Sequence, residues 1–176
     1  MISKLKICLI GATGVGKTSL ASRFVHSIYS DTYRTTIGVK IEAMEIQRGE
    51  RSVQLVVWDL SGEDEFQSVQ STYIAGSAGY LLVIDGTRRE TVDTARLLAM
   101  RVRAAAGNIP FVVMVNKVDL VALWEVVAED LAPLRADAAA VLETSARSGV
   151  GVREAFEALV DDILPRITPP RSASWT

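Results

Sequence analysis

The segment Gly11-Ala12-Thr13-Gly14-Val15-Gly16-Lys17-Thr18 has the spacing G-x-x-x-x-G-K-[ST] and lies between an apolar run and a helical pattern. Glycines let the backbone wrap an anion without Cβ clashes, so that successive N–H groups and a helix N-terminus face a phosphate. Lys17 adds a mobile positive charge that reaches the β- and γ-phosphates of a nucleotide, and the Thr18 hydroxyl is a hard oxygen suited to octahedral Mg²⁺. A phosphate loop leaves the base open, and Asn116-Lys117-Val118-Asp119 narrows it. A carboxylate at Asp119 accepts from both N1–H and the exocyclic amino group of guanine. Adenine offers an acceptor at N1 and no 2-amino group, so the charge would be badly paired. Alone, Asn-Lys-x-Asp also describes an ordinary strand-end turn; its place after an apolar strand, where ligand-binding residues of open α/β sheets collect, favours the guanine reading.

These loops need a frame. Lys4 to Ile10, Gly79 to Asp85, Phe111 to Asn116 and Ala139 to Glu143 are continuous apolar runs, expected to be central strands covered on both sides. Val39 to Arg48 alternates more, and Gly49-Glu50 separates it from Val53 to Trp58, which predicts an antiparallel hairpin at the sheet edge. Lys17 to Ser27, Glu90 to Ala106 and Gly151 to Leu164 have helical periodicity, the second through Leu97, Met100 and Val102 and the third through Phe156, Leu159, Val160 and Ile163. Shorter helices are expected after Glu65 and between Ala128 and Ala138, with Pro133 tolerable only near a first turn. The expected fold class is α/β: a six-stranded, mainly parallel sheet with one antiparallel edge hairpin and helices on both faces. It occupies residues 1–164, and residues 165–176 are expected to form a flexible tail without helix.

The chain has 176 residues, 49% of them hydrophobic, enough for a substantial single core. Nineteen basic against 21 acidic residues leave a formal charge of −2, so no basic field argues for nucleic acid or an anionic membrane. The single Cys8 lies in an apolar run and reads as a buried, reduced thiol rather than a catalytic one. No apolar stretch approaches the ~20 residues that span a bilayer, and neither end carries a lipidation signal. A cytoplasmic chain is expected, carried to a membrane only by a partner.

From about Lys4 to Leu164 the sequence resembles the Ras superfamily of small GTPases, most closely the Rab type. Gly11 to Thr18, Thr36-Ile37-Gly38, Trp58-Asp59-x-x-Gly62, Asn116 to Asp119 and Glu143-Thr144-Ser145-Ala146 occur in that family's order and spacing. The resemblance implies a P-loop NTPase of the small G-domain type that binds GTP or GDP with Mg²⁺, switches state on the γ-phosphate and hydrolyses it. It implies Gly14, Val15, Gly16, Lys17, Thr18 and Ser19 at the phosphates. The metal set becomes Thr18, Thr36 and Asp59, with Asp59 acting through water, and the Gly62 N–H bonds the γ-phosphate. Tyr29 falls where the family stacks an aromatic on guanine, with packing under the first helix as the lesser alternative. Asn116, Lys117 and Asp119 face the base together with Ser145, Ala146 and Arg147, the last replacing a lysine. The catalytic set becomes Lys17, Gly62 and residue 63. Effectors, exchange factors and activating proteins are implied at residues 30–40 and 60–75 of a monomeric domain.

Departures from the pattern matter. Glu63 stands where the family usually places a water-orienting glutamine. A carboxylate only accepts, and at ~5 Å from a phosphate charge in an effective dielectric of ~20 it is repelled by roughly 3 kcal/mol. Slow intrinsic turnover is one reading and an adapted general base another. Arg34 lies two residues before Thr36, compatible with a built-in arginine finger or with a solvated charge. Lone His26 ends the first helix, favourably for the dipole. Two functions therefore stand side by side, a hydrolysing switch and a GTP-loaded adaptor with little turnover; an ATP-using enzyme is disfavoured by Asp119.

Overall fold

Runs of β-branched and aliphatic residues bury both faces only when helices cover them, and the chain supplies helices between nearly all of its strands. The computed structural model describes residues 3–27, 38–60 and 71–167. Tyr29, Arg34, Thr36, Gly62 and Glu63 lie outside the described residues. In chain order the elements are β1 (Ser3–Gly11), α1 (Lys17–His26), β2 (Val39–Arg48), β3 (Arg51–Leu60), α2 (Ser71–Ile74), β4 (Gly79–Asp85), α3 (Glu90–Ala106), β5 (Phe111–Asn116), a 3₁₀ segment (Val118–Leu123), α4 (Ala128–Arg135), β6 (Ala140–Thr144) and α5 (Val152–Ile167). The sheet order is β2-β3-β1-β4-β5-β6, with β2 antiparallel to β3 and every other pair parallel.

The hairpin pairs Val39 with Leu60 through Arg48 with Arg51, joined by two residues of which Gly49 takes φ 62°. A positive φ at the first turn position matches the twist of a two-residue hairpin, which is why glycine stands there. One core cluster lies under α1 and α5, where the Phe24 and Phe156 rings stack at 3.8 Å. The other lies under α3 and α4. Cys8 is buried there beside Ser77; burial pushes its thiol up, away from the thiolate a nucleophile needs. No helix among the described residues is long and apolar enough to cross a membrane.

Four expectations are corrected. The strand read as Ala139 to Glu143 is not central: β6 is the sheet edge opposite the hairpin, and its residues are mostly only half-buried. Leu97 and Met100 are 51% and 67% exposed; the buried face of α3 runs instead through Val92, Ala95, Leu98 and Val102, a 3-3-4 spacing that needs no contribution from either. Pro133 sits in the second turn of α4 rather than the first. The carbonyl it leaves without a helical donor belongs to Glu129, an exposed residue open to water, and the helix is short enough to tolerate this. Finally, α5 does not stop at Leu164 but continues through Pro165 to Ile167, where Arg166 pairs with Asp162 one turn back.

Candidate nucleotide site

All the described loops singled out by the sequence meet at the C-terminal edge of the parallel strands, where an open α/β sheet gathers its ligand residues. The loop between β1 and α1 turns at Gly14 (φ 74°) and Gly16 (φ 102°). A Cβ on Gly11 would lie 2.3 Å from the Val83 carbonyl oxygen, so β1 approaches β4 there only without a side chain. Lys17 is 7% exposed, and its ammonium donates to the carbonyls of Gly11 at 2.5 Å and Ala12 at 3.0 Å. The cation is thus folded over the loop whose amides it would assist.

The Thr18 hydroxyl, on the next residue of α1, donates to Asp59 Oδ2 at the end of β3. The other carboxylate oxygen, Asp59 Oδ1, is buried without a hydrogen-bond partner. Burial raises the Asp59 carboxyl above its ordinary range, and the Thr18 bond and the Lys17 charge only partly offset this. A buried, unpaired carboxylate oxygen next to a hydroxyl is a poor arrangement for a metal-free protein. It suits a hard cation that takes one or two protein oxygens and keeps its waters, which is how Mg²⁺ binds.

On the base side, Asn116 is buried at the end of β5. Its Nδ2 donates to the Val15 carbonyl at 2.9 Å, and its Oδ1 accepts from Thr144 Oγ1 at 3.2 Å and the Ala146 amide at 3.3 Å. Asn116 therefore ties the phosphate loop to the loop after β6. Lys117 adopts φ 75°, a left-handed conformation that costs a residue with a side chain about 1 kcal/mol or more and tends to persist where function requires it. That turn sends its ammonium to the Gly14 carbonyl at 3.0 Å and Asp85 Oδ2 at 2.6 Å. Asp119 lies in the first turn of the exposed 3₁₀ segment, where Ser145 Oγ donates to its Oδ1 at 2.7 Å and fixes the carboxylate.

Three residues here were missed in the sequence. Asp85, at the end of β4, gathers Lys117, the Thr87 hydroxyl and amide, and Arg88. Burial alone would raise its carboxyl, but these donors outweigh it and hold Asp85 below the usual range. Arg88 Nη2 also donates to the Thr13 carbonyl at 2.9 Å, and Arg23 on α1 donates to the carbonyls of Ala146 and Arg147. The signal for Asp85 was its place at a strand end in register with Asn116. Arg23 and Arg88 carried no comparable signal. His26 adds to its helix-end position a 2.8 Å contact with Glu42 on β2.

Strand, phosphate loop, helix and this sheet order define a P-loop nucleotide-binding domain. The family model described as "Ras family" matches residues 6–165. The maize GTP-binding protein YPTM2 is 33% identical over 96% of this chain and 84% of its own length. The Dictyostelium discoideum Ras-related protein Rab-1A is 34% identical over 93% and 82%, and human Ras-related protein Rab-25 is 34% identical over 96% and 80%. The chain belongs to the Ras family of small GTPases and is Rab-like within it.

Proposed function

We propose that the chain binds GTP and GDP with Mg²⁺ and works as a nucleotide-dependent switch whose own hydrolysis is slow. The observation that carries this reading is the double tie across the site: Asn116 to Val15 and Lys117 to Gly14 hold the base side rigidly against the phosphate loop. A site braced in this way binds base and phosphates as one unit. Gly14 to Ser19 offer the phosphates their amides and the Lys17 charge. Asp119 accepts from the guanine edge, with Ser145, Ala146 and Arg147 at the rim and Tyr29 stacking on the ring face. Thr18, Asp59 through water, and Thr36 would hold Mg²⁺, which when bound neutralises charge on the β- and γ-phosphates. Thr36 and the Gly62 amide contact only the triphosphate form, so loss of the γ-phosphate releases both. Effector, exchange and activating partners then read residues 30–40 and 60–75. We place the chain in the cytoplasm, with membrane recruitment supplied by a partner.

Glu63 sets the rate. Its carboxylate cannot donate to the attacking water or the transferring phosphoryl group, and its charge opposes that of the phosphoryl group. Glu63→Gln is therefore expected to raise single-turnover GTP hydrolysis by about tenfold, the rate equivalent of one regained hydrogen bond. Rapid-quench measurement on protein preloaded with GTP checks this; an unchanged or slower rate would favour Glu63 as an adapted base. The same single-turnover assay on the wild type, with and without cell extract, separates the switch from a GTP-loaded adaptor, whose rate stays negligible in both.

A further inference from the structure

The loop after β6 is almost closed upon itself. The amide of Ser145 donates to the Val150 carbonyl, that of Ala146 to Asn116 Oδ1, and that of Ser148 to Ser145 Oγ. Gly149 donates to the Ser145 carbonyl and Val150 to Ser148 Oγ. Among the amides of residues 145–150, only that of Arg147 has no acceptor among the described residues. Its peptide is held from the other side: Arg23 Nε donates to the Ala146 carbonyl at 2.7 Å, and Arg23 Nη2 donates to the next carbonyl, that of Arg147. In a trans peptide the C=O and the following N–H point in opposite directions. Fixing the Ala146 carbonyl toward α1 therefore turns the Arg147 N–H away from α1. Arg23 is itself well placed to do this, because the adjacent Phe24 stacks on Phe156 and anchors the last turns of α1 against α5. The planar guanidinium meets the two consecutive carbonyls with two donors held in a fixed fork.

We propose that Arg23 is a positioning residue for base specificity: it orients the Ala146–Arg147 peptide so that the Arg147 N–H donates to the 6-oxygen of guanine. This rests on the guanine reading given above. It makes α1 the common support of both ends of the nucleotide, since Lys17 and Thr18 occupy its first turn and Arg23 its last turns.

The test compares GDP with 2-aminopurine riboside diphosphate, which keeps the 2-amino group but lacks the 6-oxygen and with it N1–H, a loss common to all three proteins, on wild type, Arg23→Ala and Arg23→Lys. Arg23→Ala is expected to weaken GDP about tenfold, the loss of one well-placed hydrogen bond, and to leave the 2-aminopurine nucleotide within about twofold of wild type. Arg23→Lys should give an intermediate loss for GDP alone, and it carries the test if the alanine variant does not fold. Equal weakening of both nucleotides, or of neither, overturns the role assigned to Arg23. A wild type that binds ADP as well as GDP removes the guanine reading itself, whereas guanine selectivity untouched by either variant removes only this inference.

Discussion

An Asp119→Asn protein is expected to bind GTP at least a hundredfold more weakly than wild type and to gain affinity for xanthosine triphosphate. Guanine presents two donors on one edge, N1–H and the 2-amino group, and under the proposed function the acceptor-only carboxylate of Asp119 would satisfy both. An amide keeps one acceptor and turns an NH₂ group toward the 2-amino hydrogens, donor against donor. Losing one charge-assisted bond and stranding another donor costs about 3–4 kcal/mol, a factor on the order of 10²–10³ in affinity. Xanthine carries a carbonyl at position 2, so the same amide is complementary to it. Asn retains an oxygen for the 2.7 Å bond from Ser145, and the side chain keeps its aim. Titration of both proteins with both fluorescent nucleotides reads the exchange. Unchanged GTP affinity would remove Asp119 from the base site.

Gly16→Ala should be strongly destabilising for so small a change. At φ 102° a side chain is strained by about 1 kcal/mol, and the new Cβ would lie 2.4 Å from Asn116 Nδ2. Asn116 is buried and bonded to Val15, Thr144 and Ala146, so it cannot yield without breaking the tie between two loops. The expected cost is roughly 3–4 kcal/mol, a fall in Tm of roughly 10 °C for a chain of this size. Gly49→Ala is the internal comparison, with a positive φ of 62° and open space around the new Cβ; it should cost only about 1 kcal/mol. Thermal unfolding of the two variants separates strain from collision, and equal losses would contradict the account.

What the sequence made legible follows from range. Periodicity within one segment placed β4, β5 and α5, and the glycine-lysine spacing placed the loop before α1, because each is written in neighbouring residues. Composition could not tell an edge from a centre: β6 is as aliphatic as its neighbours, and only pairing with β5 alone makes it an edge. Nor could it choose the face of α3, where Leu97 and Met100 are apolar yet point away from the stripe that packs. Pro165 read as a terminator, although α5 continues through it. The supporting residues of the site were the least visible. Arg23 finds Ala146 across 123 positions and Arg88 finds Thr13 across 75, and both accept their roles from backbone carbonyls, which no side-chain pattern marks. Asp85 differs, since a carboxylate ending a buried parallel strand beside Asn116 is a signal that strand-end reasoning can use.

The proposed recognition of guanine by a site whose base and phosphate loops are braced together is tested most directly by displacement of a bound fluorescent GDP. With Mg²⁺ present, unlabelled GDP or GTP should displace the probe at near-stoichiometric concentration. ATP should fail to do so even at about a thousandfold excess, the discrimination expected when a wrong base leaves a site's polar groups unpaired. Displacement by ATP at concentrations comparable to GTP would contradict the account.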